Sequence, residues 1–120
     1  VQDIMTKAII SVNTETTVFQ VAKMMEQGGI GAVLVKKDGH LSGIITDRDY
    51  ATKIVSHNLP SNTPVEQIMS SPLITINCDE SISAAAKRMT SKKIRKLAVT
   101  DNGKIIGLIT STDLVTQLAK

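Results

Sequence analysis

The sequence predicts an α/β protein of the α+β kind, two pseudo-twofold-related β-α-β-β-α repeats packed into one module. Three observations carry this. Residue n aligned with residue n+64 matches 1–56 to 65–120 without a gap, and 16 of the 56 pairs are identical. Each copy holds a hairpin dipeptide between apolar runs, Asp38-Gly39 and Asn102-Gly103, where a type I′ turn needs positive φ at both central positions. Each copy then ends a strand in Gly, two aliphatic residues and Thr-x-x-Asp: Gly43-Ile44-Ile45-Thr46-Asp47-Arg48-Asp49 and Gly107-Leu108-Ile109-Thr110-Ser111-Thr112-Asp113. The predicted organisation is repeat 1 over 1–56, a polar linker over 57–64 and repeat 2 over 65–120. Two copies are too few for a solenoid, so a pair sharing one core is expected.

The 120 residues are 42% hydrophobic and 21% charged, with one Phe and one Tyr, a globular composition whose core must be aliphatic and Met. A chain of this length buries roughly two-thirds of its unfolded surface, whereas one repeat of some 56 residues is marginal alone. Nothing near Val1 resembles a signal peptide, and no apolar run approaches the ~18 residues of a membrane span. Cys78 has no disulfide partner, and with His40 and His57 it makes a poor metal set. These features read as an intracellular, cytoplasmic protein with no membrane contact. The net charge of +3 is placed unevenly, with Arg88, Lys92, Lys93, Arg95 and Lys96 clustered in the second half. Such a cluster is either a solvated face or an attractor of phosphates and nucleic acid.

In order, the first copy opens at Val1 without a helix cap, which leads us to expect that the natural chain extends upstream. The second opens with Thr63-Pro64-Val65-Glu66, where Thr63 is placed to cap a short helix and Glu66 to reach back. Ile9 to Val12 and Leu73 to Ile76 read as strands. Thr17-Val18-Phe19-Gln20 has capping-box spacing, and Val18, Val21, Ala22 and Met25 form a helical face that Ile82, Ala85, Ala86 and Met89 repeat. Gly28-Gly29 ends the first helix, with Lys92-Lys93 in the matching place. Strands from Ala32 and Lys96 enter the hairpins and return as Leu41 to Ile45 and Ile105 to Ile109, apolar enough for burial on both faces. The closing helices should face inward through Tyr50, Ala51, Ile54 and Val55, and through Leu114, Val115, Leu118 and Ala119.

The Thr-x-x-Asp junctions have two readings. Thr46 with Asp49, and Thr110 with Asp113, are capping boxes, worth ~1 kcal/mol for the cap. A helix N-terminus also presents free N–H groups and a positive dipole end to a phosphate. Thr46 or Thr110 could then donate to that phosphate, and the acceptor-only carboxylate of Asp49 or Asp113 could take the vicinal hydroxyls of a ribose. No Ser/His/Asp or Cys/His constellation and no Walker-type loop argues for catalysis, so no catalytic or metal-binding residue is assigned and the protein is read as a non-enzyme.

Thr6 to Val12, the Val18 helix, Ile30 to Val35, Asp38-Gly39 and the Gly43 to Asp49 motif, all given twice, resemble a tandem cystathionine β-synthase (CBS) domain pair, or Bateman module, over essentially the whole chain. The resemblance implies two related clefts between the repeats, occupied by AMP, ADP, ATP or S-adenosylmethionine, and a homodimer of modules using helix faces such as those of Phe19 or Met24. It implies a regulatory module, stand-alone or excised, that senses energy or metabolite state. It puts the phosphate-contacting hydroxyl on Thr46 and Thr110 and the ribose carboxylate on Asp49 and Asp113. The adenine wall falls on Ala8, Ile9 and Ile10, on Pro72, Leu73 and Ile74, and on the strands starting at Ala32 and Lys96. Arg95 and Lys96 are nominated for phosphate, with Arg48 partly compensating in the first copy, where Gly31 and Ala32 replace them; the two sites should therefore differ in affinity. The alternatives are nucleic-acid binding through Lys92, Lys93, Arg95 and Lys96, or a purely structural, dimerising pair.

Overall fold

The computed structural model describes residues 1–119; Lys120, the last residue of the second copy, lies outside the described residues. The α+β expectation holds, with two three-stranded sheets of order β1-β2-β3 and β4-β5-β6. The chain divides into two compact units, a mid-chain unit of Ile10–Leu73 and a composite unit in which Val1–Ile9 joins the chain from Ile74 onward.

In the mid-chain unit, β1 (Ser11–Asn13) runs parallel to β2 (Ala32–Lys37), and β2 pairs antiparallel with β3 (His40–Thr46). The parallel pairing requires a crossover, which α1 (Val18–Gly28) supplies. That helix starts at the expected box, with Gln20 N–H donating to Thr17 Oγ1 at 3.1 Å and Thr17 N–H to Gln20 Oε1 at 2.9 Å. It stops at Gly29, whose φ of 62° is left-handed. The hairpin turn has positive φ at Asp38 and Gly39, as its type demands. Val18, Val21, Val33, Val35, Ile45 and Ile54 form the core, joined by Val65 and Ile68 from the start of the second sequence copy. Each such buried side chain contributes about 1.5–3 kcal/mol relative to exposure.

The composite unit repeats the plan with β4 (Thr75–Asn77), α3 (Ile82–Lys92), β5 (Lys96–Asp101) and β6 (Lys104–Thr110), closing in α4 (Ser111–Leu118). Lys93 takes the left-handed role that glycine fills in α1, at φ 56°. The core of Ile76, Ala85, Met89, Leu97, Val99, Ile109 and Leu114 is extended by Val1, Ile4 and Met5. Thr6 and Leu108 exchange backbone hydrogen bonds of 2.8 and 2.9 Å, as Ser70 and Ile44 do in the mid-chain unit at 2.9 and 3.1 Å. The opening segment of each sequence copy thus pairs, through an isolated bridge, with the last strand of the other copy's sheet.

Several expectations are corrected. Strands β1 and β4 start two residues later than read, although Ile10 and Ile74 carbonyls still accept from Leu34 and Ala98. Thr63 does not cap a helix: its hydroxyl donates to Pro60 O at 2.6 Å, and Glu66 pairs with Lys37 at 3.0 Å beside a single 3₁₀ turn. The helix after β3 is α-helical only over Asp47–Asp49, labelled α2, and is π-wound over Tyr50–Val55. There the Thr52 and Ser56 hydroxyls donate to the carbonyls four residues back, and Ser56 N–H turns to Ala51 O, five back. Of the side chains expected to face inward, the closing helices bury only Ile54 and Leu114, with Tyr50 half-buried; Ala51, Val55, Val115, Leu118 and Ala119 are exposed. A short helix lays one stripe on a three-stranded sheet, and the rest of its apolar surface stays outside.

Candidate functional site

The strand-to-helix junctions are built alike. Ala32 stands opposite Thr46 in the β2–β3 register, and Lys96 opposite Thr110 in β5–β6. The residue before each of those strands holds the helix start: Asp47 N–H donates to Gly31 O at 3.1 Å and Ser111 N–H to Arg95 O at 2.8 Å. Each carboxylate satisfies the cap's own N–H, Thr46 to Asp49 Oδ2 at 2.8 Å and Thr110 to Asp113 Oδ2 at 2.9 Å. The hydroxyl halves of the boxes differ. Thr110 Oγ1 accepts from Asp113 N–H at 3.2 Å, whereas Thr46 Oγ1 faces the Asp49 N–H without a well-formed bond and donates to Asp49 Oδ2 at 3.3 Å.

The carboxylates also differ in surroundings. Asp49 is buried, at 7% exposure, and its Oδ1 pairs with Lys53 Nζ at 3.2 Å. Asp113 is half-buried, and among the described residues no side chain reaches its Oδ1. Beneath α2, the Tyr50 hydroxyl donates to Val18 O at 2.6 Å; burial, and secondarily the Asp49 charge, push its pKa from 10.0 up to about 12.

The sequence-predicted residues fall into two sets by unit. Thr46, Arg48, Asp49, Ala32, Ile10, Pro72 and Leu73 belong to the mid-chain unit, and Thr110, Asp113, Arg95, Lys96, Ala8, Ile9 and Ile74 to the composite unit. The boundary between the units falls within two of the expected adenine-wall segments, between Ile9 and Ile10 and between Leu73 and Ile74. Arg48, Arg95, Ala8, Ile10 and Pro72 are exposed, and the remaining wall residues and Lys96 are half-buried. A groove of about 390 Å³, lined by residues including Glu15, Lys36 and Asp38, lies at the hairpin end of β2 and β3 and contains none of them. Of the basic cluster, Arg88 is engaged: it grips Glu80 through two bonds of 3.1 and 2.8 Å and donates to Thr75 O.

Two features were not read from the sequence, the cation beside Asp49 and the packing role of the motif glycines. Lys53 lies four residues after Asp49, a spacing legible as a helical ion pair. Gly43 and Gly107 lie under crossing backbone: a Cβ on Gly43 would stand 2.6 Å from Met69 Sδ and 3.1 Å from Ser70 O, and one on Gly107 2.7 Å from Thr6 O. No local signal announces those crossings, because the segments responsible come from the other sequence copy. No helix among the described residues is long and apolar enough to cross a membrane.

Comparison with known proteins agrees with this repeated construction. The family model described as CBS domain matches twice, over 1–56 and 65–120. A CBS domain-containing protein, YhcV of Bacillus subtilis, is 32% identical over 114 residues, covering 95% of this chain and 81% of the relative. Protein MK0525 of Methanopyrus kandleri is 42% identical over 106 residues, 85% of this chain; the chain spans only about half of that relative, 53%. Among solved structures, the CBS domain pair of protein MJ0100, in complex with 5′-methylthioadenosine and S-adenosyl-L-methionine, superposes with a TM-score of 0.87 at 28% identity, covering 99% of this chain and 94% of that one. With the family model matching both copies and the folds superposing over nearly their full length, the chain belongs to the CBS domain family, as a tandem pair.

Proposed function

We propose that this CBS pair is a non-catalytic regulatory module that binds adenosine-containing ligands at its Thr-x-x-Asp junctions. The observation that carries the reading is the Asp113 carboxylate, which keeps one oxygen without a protein partner among the described residues, one turn into a helix whose first N–H groups lie beside Thr110. A ribose diol donates to that oxygen; with the Ser111 and Asp113 N–H groups already engaged, a phosphate accepts from the Thr112 N–H between them and from the Thr110 hydroxyl, in the field of the helix dipole and with Arg95 and Lys96 at the head of β5 supplying charge. The mid-chain junction offers Thr46, Asp49 and Arg48 in the same roles, with a carboxylate already ion-paired. The methylthioadenosine and S-adenosylmethionine held by the MJ0100 pair support an adenosyl ligand, and AMP, ADP and ATP are the first candidates by the phosphate argument. Self-association belongs to the same reading, since Phe19, Val55, Val115 and Leu118 expose large apolar side chains. A ligand then signals by binding one state of the assembly better than another.

The test is a thermal melt of nucleotide-free protein with AMP, ADP, ATP and S-adenosylmethionine. At about 100 times its dissociation constant a true ligand stabilises by about 2.7 kcal/mol. Asp113→Ala should cost up to ~1 kcal/mol of stability through the lost carboxylate half of the capping box, and also abolish most of the ligand-induced rise in melting temperature. A ligand shift unaffected by Asp113→Ala, or no shift with any of the four, overturns the reading.

A further inference from the structure

Lys53 is held in a cage of three acceptors: Asp49 Oδ1 at 3.2 Å, Ile68 O at 2.8 Å and Ser70 Oγ at 3.3 Å. The contacts to Ile68 O and Ser70 Oγ are hydrogen bonds, and the contact to Asp49 is an ion pair on a side chain that keeps 38% of its surface exposed. The same contacts engage the second oxygen of Asp49, whose first oxygen already takes the Thr46 N–H and hydroxyl. Position 117, the equivalent of 53 under the 64-residue repeat, is an exposed glutamine, and Asp113 has no cation against it among the described residues. Two carboxylates at equivalent positions of the repeat thus differ at their second oxygen: one is latched by a lysine that also ties the helix to the 68–70 segment, and the other is open.

We propose that Lys53 is a specificity-determining residue that competes with ribose for Asp49, so that adenosine-type ligands fill the Asp113 site first and the Asp49 site only when they displace the lysine. The inference rests on the adenosyl reading of the two junctions. A ribose diol approaching Asp49 must share or replace the ammonium, whereas at Asp113 it meets an unused oxygen. Because its ammonium is placed by Ile68 O, Ser70 Oγ and the Asp49 carboxylate, Lys53 acts on the carboxylate and not on a ligand phosphate.

Calorimetric titration of the nucleotide-free full chain with adenosine and with AMP tests this. In an Asp113→Ala background, which leaves only the Asp49 site, Lys53→Gln should tighten adenosine binding about fivefold, the worth of a partly exposed ion pair, and Lys53→Met should do the same. In the otherwise natural chain, Gln117→Lys should weaken the Asp113 site by about the same factor; this variant replaces an exposed side chain and breaks no contact, so its folding is secure. If Lys53→Gln leaves adenosine binding unchanged, or weakens AMP binding while adenosine is unaffected, the lysine is a cap or a phosphate contact and the proposal is overturned while nucleotide binding stands. If no protein in the set binds either compound, the adenosyl reading falls with it.

Discussion

At the residue scale, Tyr50 is the most perturbed titratable group in the described chain, and it is the only tyrosine. Its hydroxyl is held against the Val18 carbonyl under α2, where burial first and the Asp49 charge second disfavour the phenolate. The folded-state pKa is raised above the unfolded value of 10.0, so the stability it represents is complete below pH 10 and is lost as pH climbs toward about 12. Phenolate absorbance should therefore titrate near 12 in the folded protein and near 10 in denaturant; a folded midpoint at the unfolded value would contradict the buried hydrogen bond. Tyr50 was legible in the sequence only as an inward-facing residue. Asp49 and Asp113 were legible as site candidates, since Thr-x-x-Asp spacing is a local property, but their inequality was expected from Arg95 and Lys96 and the structure adds a second source in Lys53.

At the element scale, the consequential contacts are those of β3 and β6 with the segments that cross them. A glycine between apolar residues in a buried strand normally weakens it, yet here it admits the crossing backbone. Gly107→Ala would place a methyl 2.7 Å from Thr6 O, a backbone atom tied to Leu108 on both sides. We expect a loss of about 1–3 kcal/mol in urea unfolding, the usual range for overpacking. Gly28→Ala serves as the control, because the added Cβ meets only Ile30 at an ordinary 3.7 Å near a helix end. Helix α1, the two hairpins and both capping boxes followed from short-range pattern. The π-wound turn over Tyr50–Val55 did not, because it depends on how the Thr52 and Ser56 hydroxyls settle on backbone carbonyls.

At the scale of the whole molecule, the repeat in sequence and the compact units in space partition the chain differently. The family model and the gapless repeat both run 1–56 and 65–120, whereas the cores gather Ile10–Leu73 on one side and Val1–Ile9 with the chain from Ile74 on the other. A fragment of 65–120 would lack Val1, Ile4, Met5 and the Thr6–Leu108 pairing, and a fragment of 1–56 would lack Val65 and Ile68. Fragments 1–64 and 65–120 should each melt without a cooperative transition by circular dichroism and recover one on mixing; an independently cooperative 65–120 would contradict this. The sequence by itself determined the duplication, the order of elements within each copy, the hairpins and the paired Thr-x-x-Asp junctions, because each depends on neighbours within a few residues or on self-similarity. Only the tertiary structure decided which opening segment completes which sheet, why Gly43 and Gly107 are glycine, and that Lys53 closes on Asp49 while Asp113 stays open. Those outcomes depend on side chains and backbone brought together across separations that run from 26 positions, Ile44 to Ser70, to 102, Thr6 to Leu108, or on a lysine choosing among acceptors, and neither leaves a periodic trace in the chain.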